Sequence, residues 1–304
     1  MIEWCRLTKR YAGSSTPALN AIQLDVNDGE VVGLVGLNGA GKTTAIRTAC
    51  GVTLPSAGTV RIDGRDIIKE KSAASERIGW VPELPNCDPD QRALSTLRYF
   101  AGFYGTSGSS ATVRCRELLK AVGLEGKESL KLRRFSQGMF KRFNLAAAII
   151  GDPGNLLLDE ILSGLDPDGI QFVRSWIHEL KIQSKAVLLS SHQLTEVQQI
   201  ADRVAILHRG RVLRVIRRGE LEGLPGGEIR VRLRIHPVDP GCVDYLESLG
   251  QVSVSGDTVS LVGRDIDTSS LNKELLRRGY SVAQLQTEGL SLESYFFKLI
   301  EEAG

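Results

Sequence analysis

Gly36-Leu37-Asn38-Gly39-Ala40-Gly41-Lys42-Thr43 decides how the rest of this chain is read. It fits the spacing GxxxxGK[ST], follows the apolar run Val31–Leu37 and opens the helical stretch Lys42–Cys50; strand before and helix after is the context that gives this motif its meaning. Glycines allow successive backbone N–H groups to turn inward around phosphate oxygens, and the following helix points its positive end at them. Lys42 then reaches the β- and γ-phosphates, the Thr43 hydroxyl is placed to ligate Mg²⁺, and Thr44 completes the cradle. The stretch predicts a nucleotide-phosphate site.

Working outward, Leu156–Asp159, Ala186–Ser190 and Val204–Leu207 are further short β-like runs. Val31–Leu37 and the first two of these are almost continuously apolar, as strands buried on both faces of a mainly parallel sheet must be. Helical stretches at Phe172–Ile182 and Leu194–Ala201 alternate with them, which predicts an α/β fold. Ile62–Arg65 and Leu207–Arg211 read as hairpin turns and imply antiparallel strand beside the main sheet. From about 85 to 150 the texture is helical. Arg114–Val122 is amphipathic, and Ser136–Ile150 reads as one helix with Ser136 as its N-cap and Gly151-Asp152-Pro153 as its stop.

The run Leu156-Leu157-Leu158 ends in two acids, Asp159 and Glu160. After a phosphate loop, the first is placed to hold Mg²⁺ and the second to polarise an attacking water. Leu224-Pro225-Gly226-Gly227 breaks the chain again, so a domain of residues 1–224 is expected to be followed by a small α+β appendage of residues 225–304. In the appendage Ile229–Ile235 alternates aliphatic with basic, as a half-buried strand does. Its face of Arg230, Arg232 and Arg234 either touches lipid head groups or is a solvated edge. Strand-like runs at Gln251–Val254 and Thr258–Val262 and helices at Asn272–Arg278 and Leu292–Glu302 complete it.

Bulk properties narrow the class. A net charge of +2 argues against a field built for nucleic acid. Five scattered cysteines offer neither metal spacing nor a disulfide framework, so a reduced, cytoplasmic compartment is expected. No apolar run reaches the roughly 18 residues of a membrane helix, and Met1-Ile2-Glu3-Trp4 does not read as a signal peptide.

Phe135-Ser136-Gln137-Gly138-Met139 precedes the carboxylate pair. Physically it is a second anion site: a serine hydroxyl, glycine-exposed backbone and a helix N-terminus. It resembles the ABC signature sequence LSGGQ in an SxGM form. Ser163-Gly164-Leu165-Asp166-Pro167 resembles that family's D-loop, and His192, after Ala186–Ser190, its switch histidine. Tyr11 lies where the family has its adenine-stacking aromatic, or else is a half-buried sheet tyrosine. Over residues 1 to about 224 the chain thus resembles an ABC transporter ATP-binding subunit, most like the ABC-2-type exporters in its Glu83 variant, its SxGM signature, its appendage and its tail Leu290–Phe297.

The resemblance implies a P-loop NTPase core with an antiparallel β subdomain and a helical insertion, binding ATP and Mg²⁺. It implies catalysis by Glu160, His192 and Lys42. Nucleotide contacts fall to Tyr11, Gly36–Thr44, Ser136, Gln137, Gly138, Met139 and Asp166, and metal ligation to Thr43, Asp159 and Glu83. Glu83 departs from the family's Q-loop glutamine, Met139 from the terminal signature glutamine, and Ile161-Leu162 from the usual Pro-Thr. The implied partners are a polytopic membrane permease, which docks on the helical insertion and carries the cargo contacts, and a second copy in a head-to-tail dimer; no nucleic acid is expected. The implied location is the inner face of the cell membrane. A soluble ABC ATPase acting on ribosomes or DNA is the rival, but it calls for paired nucleotide domains or a long coiled coil, and neither pattern is visible. A regulatory module without turnover conflicts with the Asp159, Glu160 and His192 set.

Overall fold

Strands without polar positions have to be covered on both sides, and the sheet that results here is parallel at its centre. The computed structural model describes residues 1–84, 87–220, 228–264, 266–288 and 292–303. The chain divides into two compact units, Met1–Ile216 and Arg217–Gly304. The break at Leu224–Gly227, with the expected boundary at 224, lies outside the described residues, as do Leu290 and Ser291 of the tail.

The first unit opens with β1 (Ile2–Lys9), β2 (Leu19–Val26), β3 (Val31–Val35), α1 (Lys42–Ala49), β4 (Ala57–Ile62), β5 (Arg65–Asp66), α2 (Lys71–Ser75) and β6 (Ile78–Val81). Three helices follow: α3 (Ala93–Phe103), α4 (Gly108–Ala121) and α5 (Gln137–Ala148). It then returns to alternation with β7 (Asn155–Leu158), α6 (Pro167–Ile182), β8 (Ala186–Ser191), α7 (Leu194–Ile200), β9 (Arg203–His208) and β10 (Arg211–Arg217).

The main sheet has the order β10-β9-β3-β8-β7-β6. Its pairs from β9 through β3, β8 and β7 to β6 are parallel, and every residue of β3, β7 and β8 is buried. Gly33 of β3 is needed for close packing: a Cβ there would fall 2.2 Å from Val197 Cγ1 of α7. A second, antiparallel sheet has the order β2-β1-β4-β5. Ile2, Trp4, Leu7, Val60 and Ile62 share one core with Ala45 and Ile46 of α1, and the Trp4 indole N–H donates to the Ala45 carbonyl at 3.1 Å. Both expected hairpin turns are present. Asp63-Gly64 and Arg209-Gly210 all have positive φ, the requirement of a two-residue type I′ turn.

Helices α3 to α5 form the insertion between β6 and β7, and α5 starts where its cap places it: Ser136 Oγ accepts from the Met139 N–H at 3.2 Å. Strands β1, β2 and β6, and helices α2 and α3, had no counterpart in the reading of the sequence.

The second unit contains β11 (Glu228–His236), α8 (Pro240–Glu247), β12 (Gln251–Ser255), β13 (Thr258–Arg264), α9 (Thr268–Arg277), β14 (Ser281–Glu288) and α10 (Leu292–Ala303). Its sheet order β12-β13-β11-β14, antiparallel throughout, with the element order βαββαβ, is the ferredoxin-like split βαβ arrangement. Val231, Leu233, Ile235, Val259 and Leu261 pack on Cys242 and Leu246 of α8 and Leu271 and Leu275 of α9. The alternate residues Arg232 and Arg234 are exposed, and Arg234 Nε lies 2.7 Å from Asp257 Oδ2. Among the described residues, no helix is long and apolar enough to cross a membrane.

Candidate active site

Parallel strands all end on one edge of the sheet, and ligands of open α/β sheets bind beyond that edge, where neighbouring connections part. The chain leaves β3 into Gly36–Gly41, β6 into Glu83, β7 into Asp159-Glu160 and β8 into His192. Four connections far apart in sequence are thereby brought to one crevice.

The loop after β3 wraps tightly. Gly39 and Gly41 have φ of 80° and 113°, open only to glycine at low cost. A Cβ on Gly36 would lie 2.4 Å from the Leu207 carbonyl, and one on Gly41 2.6 Å from the Ala18 carbonyl. A cavity of about 350 Å³ opens above the loop, lined by Ala18, Leu37–Thr44, Glu83 and Glu160. Lys42 is 7% exposed; its ammonium donates to the Gly36 carbonyl at 2.7 Å and stands 3.5 Å from Glu160 Oε1.

The carboxylate pair is held by hydrogen bonds that separate its members. Asp159 Oδ1 accepts from Ser190 Oγ at 2.6 Å and from Thr43 Oγ1 at 3.3 Å. Burial raises its pKa, with Glu83 and Glu160 adding to the rise and the two hydroxyls opposing it. Glu160, next in sequence, has φ 48°. That turn swings its carboxylate the other way, with Oε2 2.9 Å from His192 Nδ1, while its N–H donates to Ser190 Oγ at 3.0 Å. Ser190 therefore spaces both acids from the end of β8, and the reading of the sequence passed it over. Its only signal was a polar residue ending an apolar strand. Lys141 was also missed, and no local pattern marks it. Its ammonium donates to the carbonyls of Glu160, Ile161 and Ser163, and burial pulls its pKa down to about 8 against Glu160 and Glu83.

Tyr11 lies beyond the end of β1, 42% exposed, so it is not a half-buried sheet residue. Its hydroxyl comes within 3.4 Å of Thr44 Oγ1. The stretch Ser136–Met139 is not brought into the crevice: it lies at the start of α5, Ser136 and Gln137 are exposed, and none of the four lines the cavity. Asp166, also exposed, caps α6, its Oδ1 accepting from the Gly169 N–H at 2.8 Å.

Among the described residues, no group of three or more His, Cys, Asp or Glu could hold a metal ion. The oxygens of Thr43, Asp159 and Glu83 nevertheless suit Mg²⁺, which is bound by one or two carboxylates together with substrate phosphates and water.

The profile of the ABC transporter family matches residues 19–163. The chain is 32% identical over 321 residues to the bacitracin transport ATP-binding protein of Bacillus licheniformis, covering 99% of this chain and 97% of that protein. It is 34% identical over 265 residues to the Nod factor export ATP-binding protein I of Paraburkholderia xenovorans, covering 86% and 82%. A solved ATP-binding subunit of an ABC transporter superposes with a TM-score of 0.66 at 29% identity, over 73% of this chain and 92% of that one.

Proposed function

The chain belongs to the ABC transporter family as one of its ATP-hydrolysing subunits, and from that premise we propose that two copies close head to tail around two ATP molecules to drive export through a separate membrane permease. One observation carries the two-copy reading. The cavity proposed to hold the phosphates is lined by Lys42, Thr43, Glu83 and Glu160 but by no residue of Ser136–Met139, although that stretch opens α5 with Ser136 and Gln137 exposed, the geometry of a helix N-terminus suited to an anion. A twofold axis that sets the stretch of one copy over the cavity of the other completes both sites by the same contact.

In this reading Gly36–Thr44 cradle the phosphates and the Tyr11 ring, beside Thr44, receives the adenine. Thr43, Asp159 and Glu83 would hold Mg²⁺, which would supply charge neutralisation for the phosphates. Glu160 orients the attacking water, with its carboxylate fixed between Lys42 and His192. His192, half-exposed at the rim with its Nδ1 on Glu160, turns its other ring nitrogen to the γ-phosphate oxygens. Ser136, Gln137, Gly138 and Met139 approach that phosphate from the second copy, with Asp166 beside the seam. ATP favours the closed pair because it makes contacts there that ADP lacks, and loss of the γ-phosphate releases it.

The permease, of ABC-2 type in this reading, docks on the helical insertion. A groove there is lined by Trp80, Phe100, Phe103, Tyr104, Asn144 and Ile150, and Phe103 is 72% exposed; apolar surface of this kind marks an interaction site. That partner holds the chain at the inner face of the membrane. The relatives are named for transport of bacitracin and export of Nod factor, which favours export over action on ribosomes or nucleic acid.

Glu160→Gln tests the core of this reading. It is expected to bind ATP, to hydrolyse it at least about a hundredfold more slowly, and to double in mass by light scattering with saturating MgATP. A variant that remains a monomer under those conditions rules out the sandwich.

A further inference from the structure

Glu160 takes its φ of 48° at the point where β7 ends. Residues 160–163 run on without a neighbouring strand: the Ser163 N–H reaches the Glu160 carbonyl at 3.2 Å and the Leu165 N–H that of Leu162 at 3.4 Å, while the carbonyls of Ile161 and Ser163 take side-chain donors. Lys141 provides them from α5. Its ammonium lies 2.8 Å from the Glu160 carbonyl, 2.8 Å from that of Ile161 and 2.5 Å from that of Ser163. An ammonium has three protons and no acceptor, and here each proton has a carbonyl to meet. A half-buried lysine is costly unless its donors are satisfied, and burial already pulls this one down to about 8. It makes no salt bridge with either nearby glutamate. Its hydrogen bonds go to backbone, which makes it a geometric clamp.

The same helix touches the same turn at a second point. Gln137 Nε2 stands 3.5 Å from the Ser163 carbonyl. Gly164 has φ 69°, and a Cβ on it would fall 2.3 Å from that amide, so the turn lies directly against the Gln137 side chain. One turn of α5 separates Gln137 from Lys141 (i, i+4), which puts both on the face that meets residues 160–164.

We propose that Lys141 is a positioning residue for ATP hydrolysis: it sets the Glu160 turn against the nucleotide and ties it to the helix that begins with Ser136. The N-terminus of α5 and the water-orienting carboxylate then shift together. Engagement of Ser136 with the phosphate held by the other copy is thereby felt at Glu160 of its own site. The inference rests on the reading of Glu160 and Ser136 given above.

Lys141→Met in the full chain removes the three donors and keeps most of the stem. Its kcat for ATP is expected to fall about tenfold or more, as displacement of a catalytic group by a fraction of an ångström does. KM and the affinity for a non-hydrolysable ATP analogue stay within about twofold, because Lys141 touches nothing that binds phosphate. Lys141→Arg, which retains donors and charge, restores kcat to within about threefold of the parent. A purely structural role would lower thermal stability and ATP affinity together and leave kcat per folded molecule unchanged, and that result overturns the proposal. So does a folded Lys141→Met with parental kcat, or an arginine variant as slow as the methionine one. If Lys141→Met does not fold, Lys141→Gln replaces it, with kcat expected between those of the arginine variant and Glu160→Gln; parental kcat in Lys141→Gln is equally fatal. Glu160→Gln run in parallel separates the two failures. Fast turnover there removes the role of Glu160, whereas slow turnover there with normal lysine variants removes the role of Lys141 alone.

Discussion

Glu160 and Asp159 are adjacent in sequence and yet bond to different groups, because Glu160 itself has positive φ and turns the chain. Ser190 makes the division rigid, donating to Asp159 and accepting from the Glu160 N–H. Asp63 shows how a carboxylate far from the site is stabilised. Burial raises its pKa, but the amino-terminal ammonium at 2.6 Å, the Asn155 amide at 3.1 Å and Arg77 at 3.2 Å outweigh it and leave the pKa lowered. A carboxyl group with a lowered folded pKa binds fewer protons folded than unfolded. Its stabilisation is complete above the unfolded value of about 3.9 and is lost as pH falls through the folded value. Asp63→Asn is therefore expected to lower the melting temperature at pH 7 and to flatten its fall as pH drops below about 4. Melting curves across that range check it; a parallel acid limb in the variant contradicts the ion-pair account.

At the scale of elements, the site depends on how closely β3 is covered. Val197 of α7 occupies the space where a side chain on Gly33 would stand, and Ala201 lies 3.4 Å from the same point. The clash is with a branched side chain in a fully buried core, so relief requires α7 to move. Gly33→Ala is expected to cost about 1–3 kcal/mol, measurable by urea unfolding. It should also slow hydrolysis, since β3 carries the phosphate loop and α7 follows His192. A cost below about 0.5 kcal/mol would mean that α7 yields freely. The short strands β7 and β8 show the same economy. With no exposed residue they contribute nothing to the surface, and their whole role is to bring Asp159, Glu160 and His192 to one edge.

At the scale of the whole molecule, the chain forms two units with separate cores. The first holds every residue that lines the proposed nucleotide cavity. The second, a split βαβ sheet with its apolar face on α8 and α9, contributes no residue to that cavity among the described residues. The exposed aromatics of α3 belong to the first unit and point to a further protein partner. Phe103→Ala is expected to reduce co-purification with the membrane subunit about tenfold, the loss of about 1.4 kcal/mol typical of an interface anchor. ATP binding by the chain alone should remain as before. Undiminished co-purification would place the docking surface elsewhere.

The amino-acid sequence by itself determined the phosphate loop, the acids at Asp159 and Glu160 and the cap at Ser136, because each depends on contiguous residues whose spacing is set by local backbone geometry. It also determined the parallel core, since runs such as Leu156-Leu157-Leu158 can be buried only on two faces. Only the tertiary structure decided which distant side chains complete the site. Ser190 and Lys141 act through single hydrogen-bonding groups on other elements, and a lone donor leaves no periodic trace along the chain. The polar strand β14 and the short helix α8 were hidden for a related reason: their place comes from pairing with β11 and packing on its apolar face, and neighbours in sequence do not record that.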